Sequence, residues 1–206
     1  MSRIGDPPGP GVALGVVIHE PQLGSSGERR TITTLFADVR GFAPLAIQGE
    51  PEAAVATIND IFESLAELIG QECGVVNRVL GHGMLSVFGA PDDHPSAAAR
   101  AALEVRNMLE DPAATPRQRH RQVRAGLGLN TGTVVAGWIG TASDAAYTVV
   151  GHAVTVASRL GAAAAPGQIL MGAGTAALLS SEFDVRDRGT LDLAGLGPMA
   201  VFELIR

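Results

Sequence analysis

Only one of the 206 residues is a cysteine, Cys73, so no disulfide can form within the chain. A reducing compartment, the cytoplasm, is the expected location. No run of 18 or more apolar residues exists, so no membrane-spanning helix is expected. Basic charge is also scarce. Fifteen Lys and Arg face 21 Asp and Glu, a net charge of −6, where a nucleic-acid partner would call for a basic stripe. The opening "MSRIGDPPGPGVALGVVIHE" places Pro and Gly ahead of a short apolar run, which is not the order of a signal peptide. Aromatic residues make up 4% and charged residues 17%. The chain must therefore build its interior from aliphatic and small side chains.

Those are plentiful. Hydrophobic residues reach 46%, glycine numbers 26, and the mean hydropathy is +0.23. The length favours one domain with a sizeable core. Residues 1–29 read as a flexible arm and linker, in which "ALGVVI" (13–18) has the composition of a strand. Residues 30–206 read as the folded domain. "RTITTLFADV" (30–39) is β-branched and suits a buried central strand. Residues 49–72 carry Val55, Ile58, Phe62, Leu65 and Ile69 at helical spacing, with Pro51 in the first turn. A hairpin spans Val75 to Phe88 about Gly81. A second helix covers 96–111 with Ser96 as its cap. Residues 122–130 and 133–140 read as two strands about Gly132, and 147–151 as a further short strand. A helix follows over 152–165, stopped by Pro166 and Gly167. A strand at "QILMG", a short helix at "GTAALLS" and two closing strands complete an α/β chain that is not a simple βαβ repeat.

The chemistry begins at "TLFADVRGFAPL" (34–45), where a buried strand ends on Asp38 and is followed by Gly41 and Phe42. A strand-end carboxylate beside free backbone N–H groups can hold a hard cation and the phosphates it bridges; it can equally be a turn residue. Other residues suggest less. His19, His94, His120 and His152 share no ligand spacing, and Ser158 and Ser180 lack a His–Asp setting. "RQRHRQVR" (117–124) reads as a solvated loop, Trp138 as core or interface, and His152 as a poor helix cap.

Taken in order, "LFADVRGF", "NRVLGHGMLSVFGAP", "GLNTGTVVAGWIG", "YTVVGHAVTVASRL" and "PGQIL" give the chain its character. Together they resemble the catalytic domain of class III nucleotidyl cyclases, the adenylyl and guanylyl cyclases, over residues 30 to 205. The resemblance implies an α/β (α+β) fold of the ferredoxin-like nucleotidyl cyclase type, with a central, mostly antiparallel sheet flanked by helices. It implies a head-to-tail dimer with active sites at the interface, either a homodimer or a heterodimer with another cyclase-type domain. The reaction implied converts a nucleoside triphosphate to a 3′,5′-cyclic monophosphate and pyrophosphate with the help of two divalent ions, Mg²⁺ or Mn²⁺.

The same resemblance assigns roles position by position. Asp38 matches the first metal-binding aspartate. The second falls on His82, a neutral imidazole that brings one nitrogen and no negative charge, and so suits softer metals better than Mg²⁺. The purine-selecting lysine falls on Arg78, and its partner position on Thr148. Gly41 and Phe42 lie in the nucleotide-binding loop; Ala43 stands where the family often has Thr. The transition-state pair, usually Asn and Arg at i and i+4, falls on Thr155 and Arg159, which share a helix face. Arg159 suits phosphate contact, whereas Thr155 has no amide N–H for the ribose. Loss of one such donor typically costs roughly a hundredfold to a thousandfold in rate. The triphosphate-binding lysine falls on Ala194 in "LDLAG".

Two functions follow. One is a degenerate cyclase-type domain in cyclic-nucleotide signalling that acts by association or nucleotide sensing and needs no metal. The other is a weak, Mn²⁺-dependent cyclase that uses Asp38 and His82.

Overall fold

A computed structural model describes residues 27–41, 51–89, 93–110, 123–141 and 144–206. The expected strand at 13–18, the loop at 112–120 and the residues Phe42 and Ala43 lie outside this set.

The elements in chain order are β1 (Glu28–Arg40), α1 (Pro51–Gln71), β2 (Val75–Leu80), β3 (Gly83–Phe88), α2 (His94–Glu110), β4 (Arg124–Thr141), β5 (Asp144–Val150), α3 (His152–Ala163), β6 (Ile169–Gly172), α4 (Ala173–Leu179), β7 (Val185–Leu193) and β8 (Gly197–Leu204). They form one eight-stranded sheet in the order β2-β3-β1-β4-β6-β8-β7, with β5 paired to the far half of β4. Every strand pair is antiparallel except β4 with β6. This is the mixed, mostly antiparallel architecture that the sequence resemblance implies.

Alternation along β1 explains how the sheet is sandwiched. Leu35, Ala37 and Val39 face one way, into a core shared with Ile61, Leu65 and Ile69 of α1, Val105 and Leu109 of α2 and Leu179 of α4. Ile32 and Phe36 face the other way, toward Ala153 and Ala157 of α3. Asp38 and Arg40 continue that second row, so the end of β1 presents both on the α3 side.

Helix α3 lies very close to the sheet because glycines meet it. A Cβ on Gly126 would come within 2.5 Å of the Gly161 carbonyl oxygen, and Gly128 has even less room against Ala157 and Gly161. The first turn of α3 is tied down as well. Its Ala153 carbonyl accepts from Thr34 Oγ1 and from Asn130 Nδ2, each at 3.4 Å.

Several expectations need correction. Residues 124–141 form one continuous 18-residue strand, not two about Gly132. That glycine pairs with Ile32 in the middle of the β1–β4 ladder, so tertiary pairing overrides its turn propensity. Val55 is 57% exposed. The buried stripe of α1 runs through Ala54, Thr57, Ile61, Leu65 and Ile69, a rotation of the face read from the apolar residues alone. Helix α2 begins at His94, so Ser96 is buried inside its first turns and is not the cap. The Asp93 carbonyl accepts from Ala97 N–H and opens the helix.

Helix α1 ends in a Schellman-type turn. Gly74 N–H donates to the Ile69 carbonyl and Cys73 N–H to that of Gly70, with Cys73 at φ +58° in the position glycine normally takes.

Candidate active site

Two elements deliver the strand-end carboxylate and the hairpin histidine to the same place. β1 and β3 pair so that Asp38 lies opposite Gly83. Gly81 and His82 make the two-residue turn between β2 and β3. Gly81 takes φ +61° and His82 has no positive φ, the pattern of a type II′ turn. Val39 N–H donates to the His82 carbonyl at 3.0 Å. The hairpin tip is thereby fixed against the end of β1.

The side chains complete the cluster. His82 Nε2 lies 3.1 Å from Asp38 Oδ1. Arg40 Nε donates to Asp38 Oδ2 at 2.9 Å, and Arg40 Nη2 lies 2.8 Å from the same oxygen. That Nη2 also donates to the carbonyls of Gly161 (3.2 Å) and Ala162 (2.8 Å) at the end of α3. Asp38 is only 12% exposed at its side chain, whereas His82 is 69% exposed. The imidazole thus faces solvent over most of its surface, with Nε2 against Asp38. It leans onto the one acidic group at the end of β1, which at 12% exposure would otherwise stand partly desolvated.

Arg40 was not singled out from the sequence. The signal was present, because residues i and i+2 of a strand share a face, and an arginine two places beyond a strand-end aspartate is set to pair with it. Gly41 follows at φ +100°, a conformation that favours glycine.

A second cluster sits between β2 and β5. The β2–β3 ladder shifts register between Val76 and Arg78, so Asn77 occupies a bulge. Thr148 Oγ1 donates to Asn77 Oδ1 at 2.7 Å, and Asn77 Nδ2 donates to the Tyr147 carbonyl at 3.4 Å. Thr148 is 6% exposed. The residue facing it is thus Asn77, while Arg78 is exposed and has no hydrogen-bond or ion-pair partner among the described residues. A bulge of this kind is not readable from residue alternation, which is why Asn77 was missed.

The side chains of Thr155 and Arg159 are both exposed on one face of α3, also without such a partner among the described residues. Ala194 is exposed in the turn joining β7 to β8. The residues expected to act on one nucleotide thus fall into separate groups. Asp38 with His82, Thr148 with Asn77, and the exposed pair on α3 are joined by no hydrogen bond or ion pair among the described residues. His152 opens α3 without capping it; the cap is Gly151, with no side-chain hydrogen bond.

The donor set around Asp38 does not fit a pair of hard divalent ions. One carboxylate has both oxygens in contact with basic side chains, and the second side chain supplies a single nitrogen. Among the described residues no group of three or more His, Cys, Asp or Glu comes together. Two cations brought to one carboxylate would repel each other with little compensation.

Comparison with known proteins bears on most of the chain. Residues 25–206 match the family described as "Adenylate and Guanylate cyclase catalytic domain". The sequence is 34% identical over 179 residues to an adenylate cyclase of Mycobacterium tuberculosis, covering 84% of this chain and 39% of that protein. It is 28% identical over 199 residues to the receptor-type guanylate cyclase gcy-23 of Caenorhabditis elegans, covering 92% of this chain and 18% of that protein. The chain therefore spans less than two-fifths of the length of either curated relative. Among solved structures, the adenylyl cyclase CyaB from P. aeruginosa superposes with a TM-score of 0.78 at 25% identity, covering 87% of this chain and 95% of that one. The guanylyl cyclase Cya2 superposes with a TM-score of 0.75 at 29% identity, covering 87% and 93%.

Proposed function

Because the chain belongs to the adenylate and guanylate cyclase catalytic-domain family, we propose that it is a class III cyclase-type domain of cyclic-nucleotide signalling with little or no turnover. It keeps the fold and a pairing surface, and it acts by association with a second cyclase-type domain or by binding a nucleotide. The observation that carries this reading is the state of Asp38. Its two oxygens face Arg40 and His82, where the family's reaction asks for a pair of carboxylates open to two cations.

Other positions support the reading. Thr155 cannot offer an amide to a ribose. Ala194 brings a methyl group where a cation would meet phosphate. Thr148 is buried and engaged with Asn77. The losses fall on the metal, base, ribose and phosphate contacts together, whereas a change of substrate alone would spare the metal and phosphate ligands. Support for pairing comes from Val79 and Leu80 on β2, Ile139 on β4 and Val150 on β5, which are large apolar side chains left exposed at 44–50%. Among the described residues no helix is long and apolar enough to cross a membrane.

One observation favours a second reading. His82 Nε2 and Asp38 Oδ1 stand 3.1 Å apart, a nitrogen and an oxygen close enough to share one softer ion. On that reading the domain is a weak Mn²⁺-dependent cyclase in which the exposed Arg159 meets phosphate.

The deciding experiment incubates purified protein with ATP, GTP, CTP and UTP in Mg²⁺ and in Mn²⁺ and measures cyclic products by mass. The proposal expects none above a protein-free control. Steady turnover with Mg²⁺ overturns it, and turnover confined to Mn²⁺ selects the second reading. Restoring His82→Asp, Thr155→Asn and Ala194→Lys together is expected to raise turnover.

A further inference from the structure

We propose that Asp38, Arg40 and His82 form a metal-independent clamp, which holds in place by side-chain contacts what a bound cation would otherwise hold. Three pieces of the fold meet there. Asp38 ends β1, His82 is the tip of the β2–β3 hairpin, and Gly161 and Ala162 close α3. Arg40 joins the first of these to the third. Its guanidinium contacts Asp38 Oδ2 through Nε and Nη2 and donates onward to both α3 carbonyls. His82 joins the first to the second, through its ring on Asp38 Oδ1 and through its carbonyl, which accepts from Val39 N–H.

The burial gradient fits a clamp. The carboxylate at the centre is 12% exposed, Arg40 is 34% exposed, and His82 covers the outside. Arg40 also brings a fixed positive charge to the negative end of the α3 dipole, a favourable placement at a helix C-terminus. A cation site makes the opposite demand, since its carboxylate must stand open with no internal cation on it. The inference rests on the reading of Asp38 given above, but it is read out by stability and not by turnover, so either can fail alone.

The two roles differ in the sign of one measurement. A partly desolvated carboxylate held ready for a metal is a liability in the metal-free protein, and Asp38→Asn would then leave the melting temperature unchanged or raise it. In a clamp the same change strands Arg40 and lowers it. The experiment is thermal unfolding of the full chain in EDTA and again in millimolar Mn²⁺.

Asp38→Asn and Arg40→Gln are each expected to lower the midpoint by roughly 3–8 °C, the shift for losing the charge-assisted hydrogen bonds of a partly exposed pair in a domain of this size. The double variant is expected to fall no further than the worse single one, because both remove the same interaction. Arg40→Lys, which keeps the charge but not the fork, is expected to fall in between. Mn²⁺ is expected to leave the wild-type midpoint where it was. His82→Asp is expected to lose stability in EDTA and recover it in Mn²⁺. An Asp38→Asn variant at least as stable as wild type in EDTA, strictly additive losses in the double variant, or a wild-type midpoint raised by Mn²⁺ would each overturn the clamp.

Discussion

Gly126→Ala is expected to weaken the seat of α3, and the structure sets the size of the effect. Gly126 pairs with Asp38 across the β1–β4 ladder, directly under the last turn of α3. A Cβ there would lie 2.5 Å from the Gly161 carbonyl oxygen, 2.8 Å from that of Ala164 and 3.1 Å from the Ala164 Cβ. The two closest atoms are backbone, so no rotamer change relieves them. The helix end must move by about 0.5–0.9 Å to restore separations of 3.0–3.4 Å. Overpacking of this kind costs about 1–3 kcal/mol. Reduced freedom of the unfolded chain returns about 0.4–1 kcal/mol. The net loss is about 1–2 kcal/mol, or about 2–8 °C in melting temperature. The Gly161 carbonyl that is pushed away also accepts from Arg40, so the loss should exceed that of a similar clash elsewhere on α3. Gly70 provides the control. It is a glycine within α1 with nothing within 4 Å of its would-be Cβ, and Gly70→Ala is expected to gain about 0.5–1 kcal/mol from helix propensity. Thermal unfolding followed by circular dichroism measures both. A Gly126→Ala protein no less stable than wild type would refute the close approach of α3 to β4.

Other positions carry their own expectations. Cys73 sits at φ +58°, a conformation that costs a non-glycine residue about 1 kcal/mol or more, so Cys73→Gly should raise the denaturant midpoint at unchanged slope; a fall would contradict the cap geometry. Ser86 is fully buried on β3, and among the described residues its hydroxyl has no hydrogen-bond partner, so Ser86→Ala should be neutral or stabilising by about 1 kcal/mol, where a clear loss would reveal a partner. Arg159 is exposed on α3, and its side chain has no hydrogen-bond or ion-pair partner among the described residues. Its change to Ala should leave stability within about 0.5 kcal/mol while lowering affinity for a fluorescent ATP analogue by roughly tenfold if it meets phosphate.

The fold was legible because its signals are long-range in sequence order but local in kind. The ordered blocks around Asp38, Gly81, Gly132, Arg159 and Gly167 fall on a strand end, a hairpin turn, a long strand, a helix and a turn, and their sequence along the chain carried the architecture. The helix spacing of α1 was also visible, although the face was rotated. Ala54 and Thr57 are buried while the larger Val55 is not, a choice made by neighbouring helices and not by hydropathy. Gly132 misled because a glycine in a long strand looks like a turn until its partner strand is known. At the site, the place of His82 at the tip of the hairpin could be read directly. What the sequence did not disclose was the pairing geometry. The contact of His82 with Asp38 depends on the hairpin turn, and that of Asn77 with Thr148 depends on a bulge. Arg40 was within reach of strand alternation and was overlooked.

The most direct measurement is a count of Mn²⁺ ions by electron paramagnetic resonance on the purified protein with a non-hydrolysable ATP analogue. The same ion count for wild type and Asp38→Asn is predicted, because no cation is seated on that carboxylate. Two ions per protomer in wild type, lost in Asp38→Asn, would contradict the reading of Asp38 as a carboxylate closed by Arg40 and His82.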